Sequence, residues 1–325
     1  MISSTHTIQG VNIRLRCDQR LHSRISNYFD FYYKGEPRQS IKSVLYELSI
    51  VKSPPAIPAE AVRVFHDREV SCYLSGKHIY YASEDGSVMR LDPVSRIVKG
   101  DLRENILDNP IILYTLAGAP FADILKYDSL YSLHSSALYH NGTGYLFSGD
   151  SGSGKTSAAL GLVAHGFKYV SDDVVLLEEV KGEIIAHSLT KTFNIDRLLG
   201  SRFPGIVKEE NLPSESGAKV TVNIEQVVPG SFVPRLRPDV MIFLKITSNG
   251  KSRIDPLNQF EVFRALLKQT LLAADKEVSQ NQIQTLGKLV RQVRGFELLR
   301  GRDICEDPTC LIKLLAETGC RHADN

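Results

Sequence analysis

The sequence predicts an α/β fold in two parts, a strand-rich region over residues 1–126 and an alternating strand–helix core over 127–325. Three observations lead there. Short segments that alternate apolar and polar residues, parted by turn residues, fill the first part. A glycine-rich loop between an apolar strand and an apolar-faced helix stands near the start of the second. Leucine-rich helical spacing then dominates from residue 256 onward. A length of 325 residues agrees with two domains.

In the first part, Val11–Leu15 and Val44–Val51 alternate as half-buried strands do. Pro54, Pro55 and Pro58 mark a loop. Val62–Phe65, Val70–Leu74, His78–Ala82 and Ser87–Leu91 are short strands, with Gly76 and Asp85-Gly86 turning the chain between the last three. Arg14, Arg16, Arg20 and Arg24 read as a solvated basic face. Asn105–Lys126 has helical spacing, and Gly118 and Pro120 are expected to break it into two helices. Leu133–Tyr139 and Gly144–Ser148 form a hairpin around Asn141-Gly142. Farther on, Val240–Leu244 and Gly295–Leu299 are strands. Phe260 to Leu272 and Ile283 to Val293 are helical faces, and Leu311–Ala316 is a last helix.

Composition narrows the function classes. Apolar residues make up 42%, charged residues 23%, and the mean hydropathy is −0.13, as in folded water-exposed chains. The net charge of +2 gives no bulk attraction to nucleic acid or to a membrane surface. No run reaches the roughly 20 apolar residues of a membrane span, and no apolar leader opens the chain, so a cytoplasmic location is expected. Five cysteines with no CxxC pair argue against a disulfide framework. Cys305, Cys310, Cys320 and His322 gather near the C-terminus, but their spacing fits no common zinc pattern.

The chemistry concentrates after Tyr145-Leu146-Phe147. Gly149-Asp150-Ser151-Gly152-Ser153-Gly154-Lys155-Thr156 matches GxxxxGK[ST], a pattern met by chance on the order of once per hundred chains of this length. Glycines let the backbone curl so that amide N–H groups point at phosphate, and the following helix adds its N-terminal field. In such a loop Lys155 reaches the β- and γ-phosphates of ATP, and the Thr156 hydroxyl holds Mg²⁺. The next strand, Phe167–Ser171, ends in Asp172-Asp173. A right-handed crossover is expected to lay that strand beside the first, with its carboxyl end at the loop. Two adjacent carboxylates allow one to anchor metal and the other to accept a proton from an attacking hydroxyl.

Leu133-His134-Ser135, the loop itself, His165-Gly166-Phe167 and Ser171-Asp172-Asp173 together resemble the HPr kinase/phosphorylase family, over about 45 residues in matching order and spacing. The resemblance implies a phosphate-loop kinase core related to that of phosphoenolpyruvate carboxykinase. It also implies ATP and Mg²⁺ as cofactors. By the same resemblance Asp173 corresponds to the catalytic acid/base, Asp172 to the metal-side carboxylate, and His134 to a histidine near the phosphate site. The family's later glycine-rich signature does not recur in residues 188–230, and the first 130 residues do not resemble its regulatory domain.

The leading expectation is an ATP-dependent phosphotransferase acting on a hydroxyl, a serine or threonine of a protein or peptide. A small-molecule kinase with the same core, and a nucleotide sensor with little turnover, stand as alternatives. A homo-oligomer is kept open. Lys191 and Lys219 are further candidates for contact with phosphate or acceptor, and Arg235 or Arg237 for stabilising the transferring group. Residues 200–218, rich in Gly, Pro and charge, are expected to close over the site as a lid.

Overall fold

Alternating burial along each strand builds the first sheet. The computed structural model describes residues 1–35, 43–67, 69–203, 218–248 and 250–320. They form two compact units, Met1–Leu130 with Leu272–Gln282, and Tyr131–Leu271 with Ile283–Asn325. The sequence reading put 272–282 in the second part. Their grouping with the first unit is a long-range choice that no local signal carries.

In the first unit, β1 (Ile2–Ile8) and β2 (Val11–Cys17) form a hairpin. β2 buries Ile13, Leu15 and Cys17 and exposes Arg14 and Arg16. Arg20 and Arg24 lie on a helix that the sequence reading lacked, α1 (Gln19–Asp30). Asp18 caps it, and Leu21, Ile25 and Phe29 bury its inner face. The basic run is thus split between a strand and a helix. β3 (Ser43–Ile50), β4 (Val62–Asp67), β5 (Val70–Ser75), β6 (His78–Ser83), β7 (Val88–Asp92) and β8 (Ile97–Leu102) complete an eight-stranded sheet of order β1-β2-β3-β8-β7-β6-β5-β4. The pairs β2–β3 and β3–β8 are parallel and the others antiparallel.

After a short 3₁₀ turn at Glu104–Asp108, the expected break at Gly118 and Pro120 does not occur. One helix, α2 (Pro110–Tyr127), runs through both residues. Proline removes one backbone donor. One residue beyond the carbonyl that this leaves open, the Tyr46 hydroxyl donates to the Ala117 carbonyl at 3.0 Å. Burial of Leu113, Leu116, Phe121 and Ile124 holds the helix together across the proline.

In the second unit, Asn141 and Gly142 take φ of 47° and 83°, the conformation a tight hairpin needs. They join β9 (Tyr131–His140) to β10 (Thr143–Ser148). The loop follows, then α3 (Lys155–Ala164), β11 (Lys168–Ser171), β12 (Val174–Val180) and β13 (Glu183–Ser188). β11 does not lie beside β10. It pairs with β9 over Ala137–Tyr139, and β12 pairs with β9 over Tyr131–His134. The hairpin already occupies the edge of β10 where a crossover strand would pair, so β11 is one strand removed. Its direction still brings Asp172 to the same sheet end as the loop.

A two-stranded ribbon, β14 (Thr192–Asp196) with β15 (Lys219–Asn223), carries α4 (Arg197–Arg202) and α5 (Ile224–Val227). β16 (Arg235–Leu236), β17 (Val240–Ile246), β18 (Arg253–Leu257), α6 (Gln259–Leu267), α7 (Lys276–Gln292), β19 (Arg294–Arg300), α8 (Asp303–Glu306) and α9 (Thr309–Cys320) follow. The main sheet has order β16-β13-β12-β9-β10-β17-β19-β18, with β11 also on β9. β10, β17 and β19 are mutually parallel. β17 is apolar on both faces because both are covered. Val240, Ile242 and Leu244 join one core with Leu160 and Leu311, while Met241 and Phe243 join the other with Leu266 and Leu289. Of the face expected over Phe260 to Leu272, Val262 and Leu266 are buried as expected, while Phe260, Leu267, Leu271 and Leu272 are exposed.

Candidate active site

The chain leaves β10 at Ser148 and curls. Gly149, at φ 149°, lies so close to β17 that a Cβ would come 2.6 Å from the Leu244 carbonyl. Gly154, at φ 93°, leaves room for the Arg300 guanidinium; a Cβ there would lie 1.6 Å from its Nη1. Lys155 starts α3 and turns back, its Nζ donating to the Gly149 carbonyl at 2.7 Å and the Asp150 carbonyl at 3.2 Å. Burial lowers the affinity of Lys155 for its proton, against the opposing pull of Asp173 and Asp172. Ser153 Oγ is buried with no hydrogen-bond partner among the described residues.

The two aspartates diverge. Asp172 is 3% exposed. Its Oδ2 accepts from Thr156 Oγ1 at 3.2 Å and its Oδ1 from Ser136 Oγ at 3.3 Å. Burial, then the neighbouring charge of Asp173, pushes its carboxyl up to about 7. Asp173 points outward, with its side chain 65% exposed, and its Oδ1 lies 3.1 Å from His134 Nδ1. That hydrogen bond holds its carboxyl below the usual range. β9 sets both partners: His134 pairs with Val174, and Ser135 N–H donates to the Asp173 carbonyl at 3.0 Å.

A cleft of about 340 Å³ opens here. Ser151, Gly152, Gly154, Lys155, Thr156, His134 and Asp173 line it, with Asp172 buried beneath Thr156. Gly149 and Asp150 face a second cleft, of about 250 Å³. Lys219 reaches the first cleft; Lys191 does not line it and sits over the Phe232 ring at 4.5 Å. Arg235 and Arg237 do not line it either, and Arg237 is held by Glu183 and Asp239. Residues 204–217 of the expected lid lie outside the described residues. The sequence reading missed Asn194, Leu198, Leu199, Arg202 and Arg300 on the cleft wall. They come from β14, α4 and β19, remote from the motif.

The donor set suits a small hard cation. Thr156 and Asp172 offer oxygen ligands, and a buried acid with a raised pKa is relieved by a positive charge. Among the described residues no group of three or more His, Cys, Asp or Glu is placed to hold a metal. No described helix is long and apolar enough to cross a membrane.

A mixed α/β chain with a glycine-rich loop between strand and helix, facing an acidic strand end, is the class this geometry defines. Residues 126–228 match the family model of the HPr Serine kinase C-terminal domain, and through this segment the chain is HPr-kinase-like. Over 68 residues it is 37% identical to HPr kinase/phosphorylase of Clostridium perfringens strain SM101, and equally to that of strain 13. That stretch covers 21% of this chain and 22% of each relative, so the likeness spans about a fifth of the length of the relatives. The HPr(Ser) kinase/phosphatase from Coxiella burnetii is 12% identical, with a TM-score of 0.32 over 59% of this chain and 99% of that one.

Proposed function

We propose that this chain is an ATP-dependent phosphotransferase with a phosphate-loop core of the type shared by HPr kinase and phosphoenolpyruvate carboxykinase. It moves the γ-phosphoryl group of ATP to a hydroxyl, that of a serine or threonine on a protein or peptide. A serine acceptor is also what the description of the matching family model, HPr Serine kinase C-terminal domain, carries. The observation that supports the reading best is the split between the two aspartates. Asp172 is buried on Thr156, where a metal carboxylate belongs, and Asp173 is exposed in the cleft, where a proton acceptor belongs. A nucleotide sensor needs the first and has no use for the second.

The assigned roles follow from position. Backbone N–H groups of the loop and Lys155 bind the phosphates. Thr156 and Asp172 would hold Mg²⁺, which would supply charge neutralisation at the phosphates. The acceptor oxygen bonds to the γ-phosphorus as the bond to the β-phosphate oxygen breaks, and ADP leaves with that electron pair. The acceptor proton passes to the Asp173 carboxylate, which His134 Nδ1–H keeps ionised and aimed. This chemistry suits a compartment rich in ATP, the cytoplasm.

The test is γ-labelled ATP with Mg²⁺ and a lysate of the source organism, separated into protein and small-molecule fractions. Label on protein serine or threonine is expected. Asp173→Asn should lower transfer by on the order of 10²–10⁴ while Mg·ATP affinity stays within a few-fold. Label confined to a small molecule would move the reading to a metabolite kinase. Equal transfer by wild type and Asp173→Asn removes the base from the mechanism.

A further inference from the structure

Phosphoryl transfer needs positive charge at the phosphates beyond one lysine. The two arginines that the sequence offered, Arg235 and Arg237, do not line the cleft. We propose that Arg300 binds the nucleotide phosphates, acting with Lys155 from the opposite side of the loop. The proposal rests on the phosphotransfer reading and deepens it.

Four observations carry it. Arg300 ends β19, which runs parallel to β17 and through it to β10, so it arrives at the sheet end where the loop begins. That is the end of such sheets at which ligands bind. Arg300 is among the residues that line the cleft. Nη1 lies 3.4 Å from the Ser153 carbonyl and fills the space that any side chain on Gly154 would take. At 9% exposure Arg300 is largely ordered in place, unlike the exposed Lys219 and Arg202 on the same wall. A fixed planar guanidinium loses little freedom when an anion arrives, and it presents several donors to phosphate oxygens.

A brace that only shaped the loop would also touch Ser153 and Gly154, so the experiment must separate support from charge. Calorimetric titration of the full chain with Mg·ATP is compared among wild type, Arg300→Met and Arg300→Lys over a range of NaCl concentrations. For Arg300→Met we expect affinity lower by roughly tenfold to hundredfold, and a shallower fall of log affinity with log salt because one phosphate-facing cation is gone. Arg300→Lys keeps the charge and should keep the wild-type salt slope, with only a few-fold loss of affinity. Arg300→Met with wild-type affinity overturns the proposal. So does weakened binding with an unchanged slope in Arg300→Met, since that is what a neutral brace would give. Should Arg300→Met fail to fold, Arg300→Gln, which removes the charge but keeps a donor for the Ser153 carbonyl, decides: a shallower slope supports the proposal, and a wild-type slope overturns it. Lys155→Ala serves as the control for the underlying reading. If it binds Mg·ATP as wild type does, the phosphate loop itself is misassigned, and that result is distinct from any Arg300 outcome.

Discussion

Asp172 and Asp173 are adjacent in the chain and opposite in environment, and the difference has a thermodynamic consequence. Asp172 is buried with its carboxyl raised to about 7. In the unfolded chain it titrates near an ordinary value of about 4. The folded state therefore holds a proton that the unfolded state has released, so the stability this group contributes is present below pH ~4 and is lost as pH rises to about 7. Nucleotide-free Asp172→Asn should melt a few degrees above wild type at pH 8 and close to it at pH 5, and Mg²⁺ should stabilise the wild type alone. Parallel melting-temperature curves for the two proteins between pH 5 and 8 would refute the burial account. At this scale the sequence was readable where the chemistry is contiguous. Gly149–Thr156 and Asp172-Asp173 announce themselves by spacing; the structure sets Ser151, Gly152, Gly154, Lys155, Thr156, Asp173 and His134 around one cleft with Asp172 beneath Thr156, while Gly149 and Asp150 face another. Arg300, Asn194 and Arg202 are single residues on remote elements, and only the pairing of strands brings them in.

Among the elements, α2 shows why a local breaker signal fails. Its backbone passes Gly118 and Pro120 without a break because tertiary packing outweighs propensity. Gly118 has a separate reason to be glycine. A Cβ there would lie 2.0 Å from the Tyr28 hydroxyl. That ring is stacked on Tyr114 at 5.1 Å, and its oxygen accepts from the Tyr32 hydroxyl at 2.7 Å, so it cannot swing aside freely. In an exposed helix Gly→Ala gains about 1 kcal/mol. Here Gly118→Ala should cost about 1–3 kcal/mol by overpacking. Tyr28→Phe combined with Gly118→Ala should recover part of that loss, a coupling that urea denaturation of the four proteins of a double-mutant cycle measures. Additive effects would mean the two residues do not meet. The crossover strand illustrates the same limit. β11 sits one place from its expected position because the Asn141-Gly142 hairpin, itself readable, fills the edge of β10.

For the whole molecule, the division into units does not follow the chain. Leu272–Gln282 belongs with Met1–Leu130, although both its neighbours in sequence belong to the other unit. Within the first unit, the Asp275 charge acts with burial to raise the Tyr127 hydroxyl pKa. The Gln282 side chain is fully buried and its Oε1 accepts from Ala273 N–H at 3.0 Å. A fragment of residues 131–325 therefore lacks the unit that its 272–282 segment serves. Hydrogen exchange over that segment should be slowed in the full chain and fast in the fragment, while the loop and α3 keep their protection in both. Equal exchange in the two proteins would show that the segment is held by the second unit after all. The excursion also imposes an order on biosynthesis. All eight strands of the first sheet lie before residue 103, yet their last companion segment leaves the ribosome on the order of ten seconds later at ordinary elongation rates. Through that interval the surface that the segment covers is open on the nascent chain. The N-terminal half of this protein thus spends its youth unfinished, and a chaperone that grips newly made chains has a defined place and a defined time to do so.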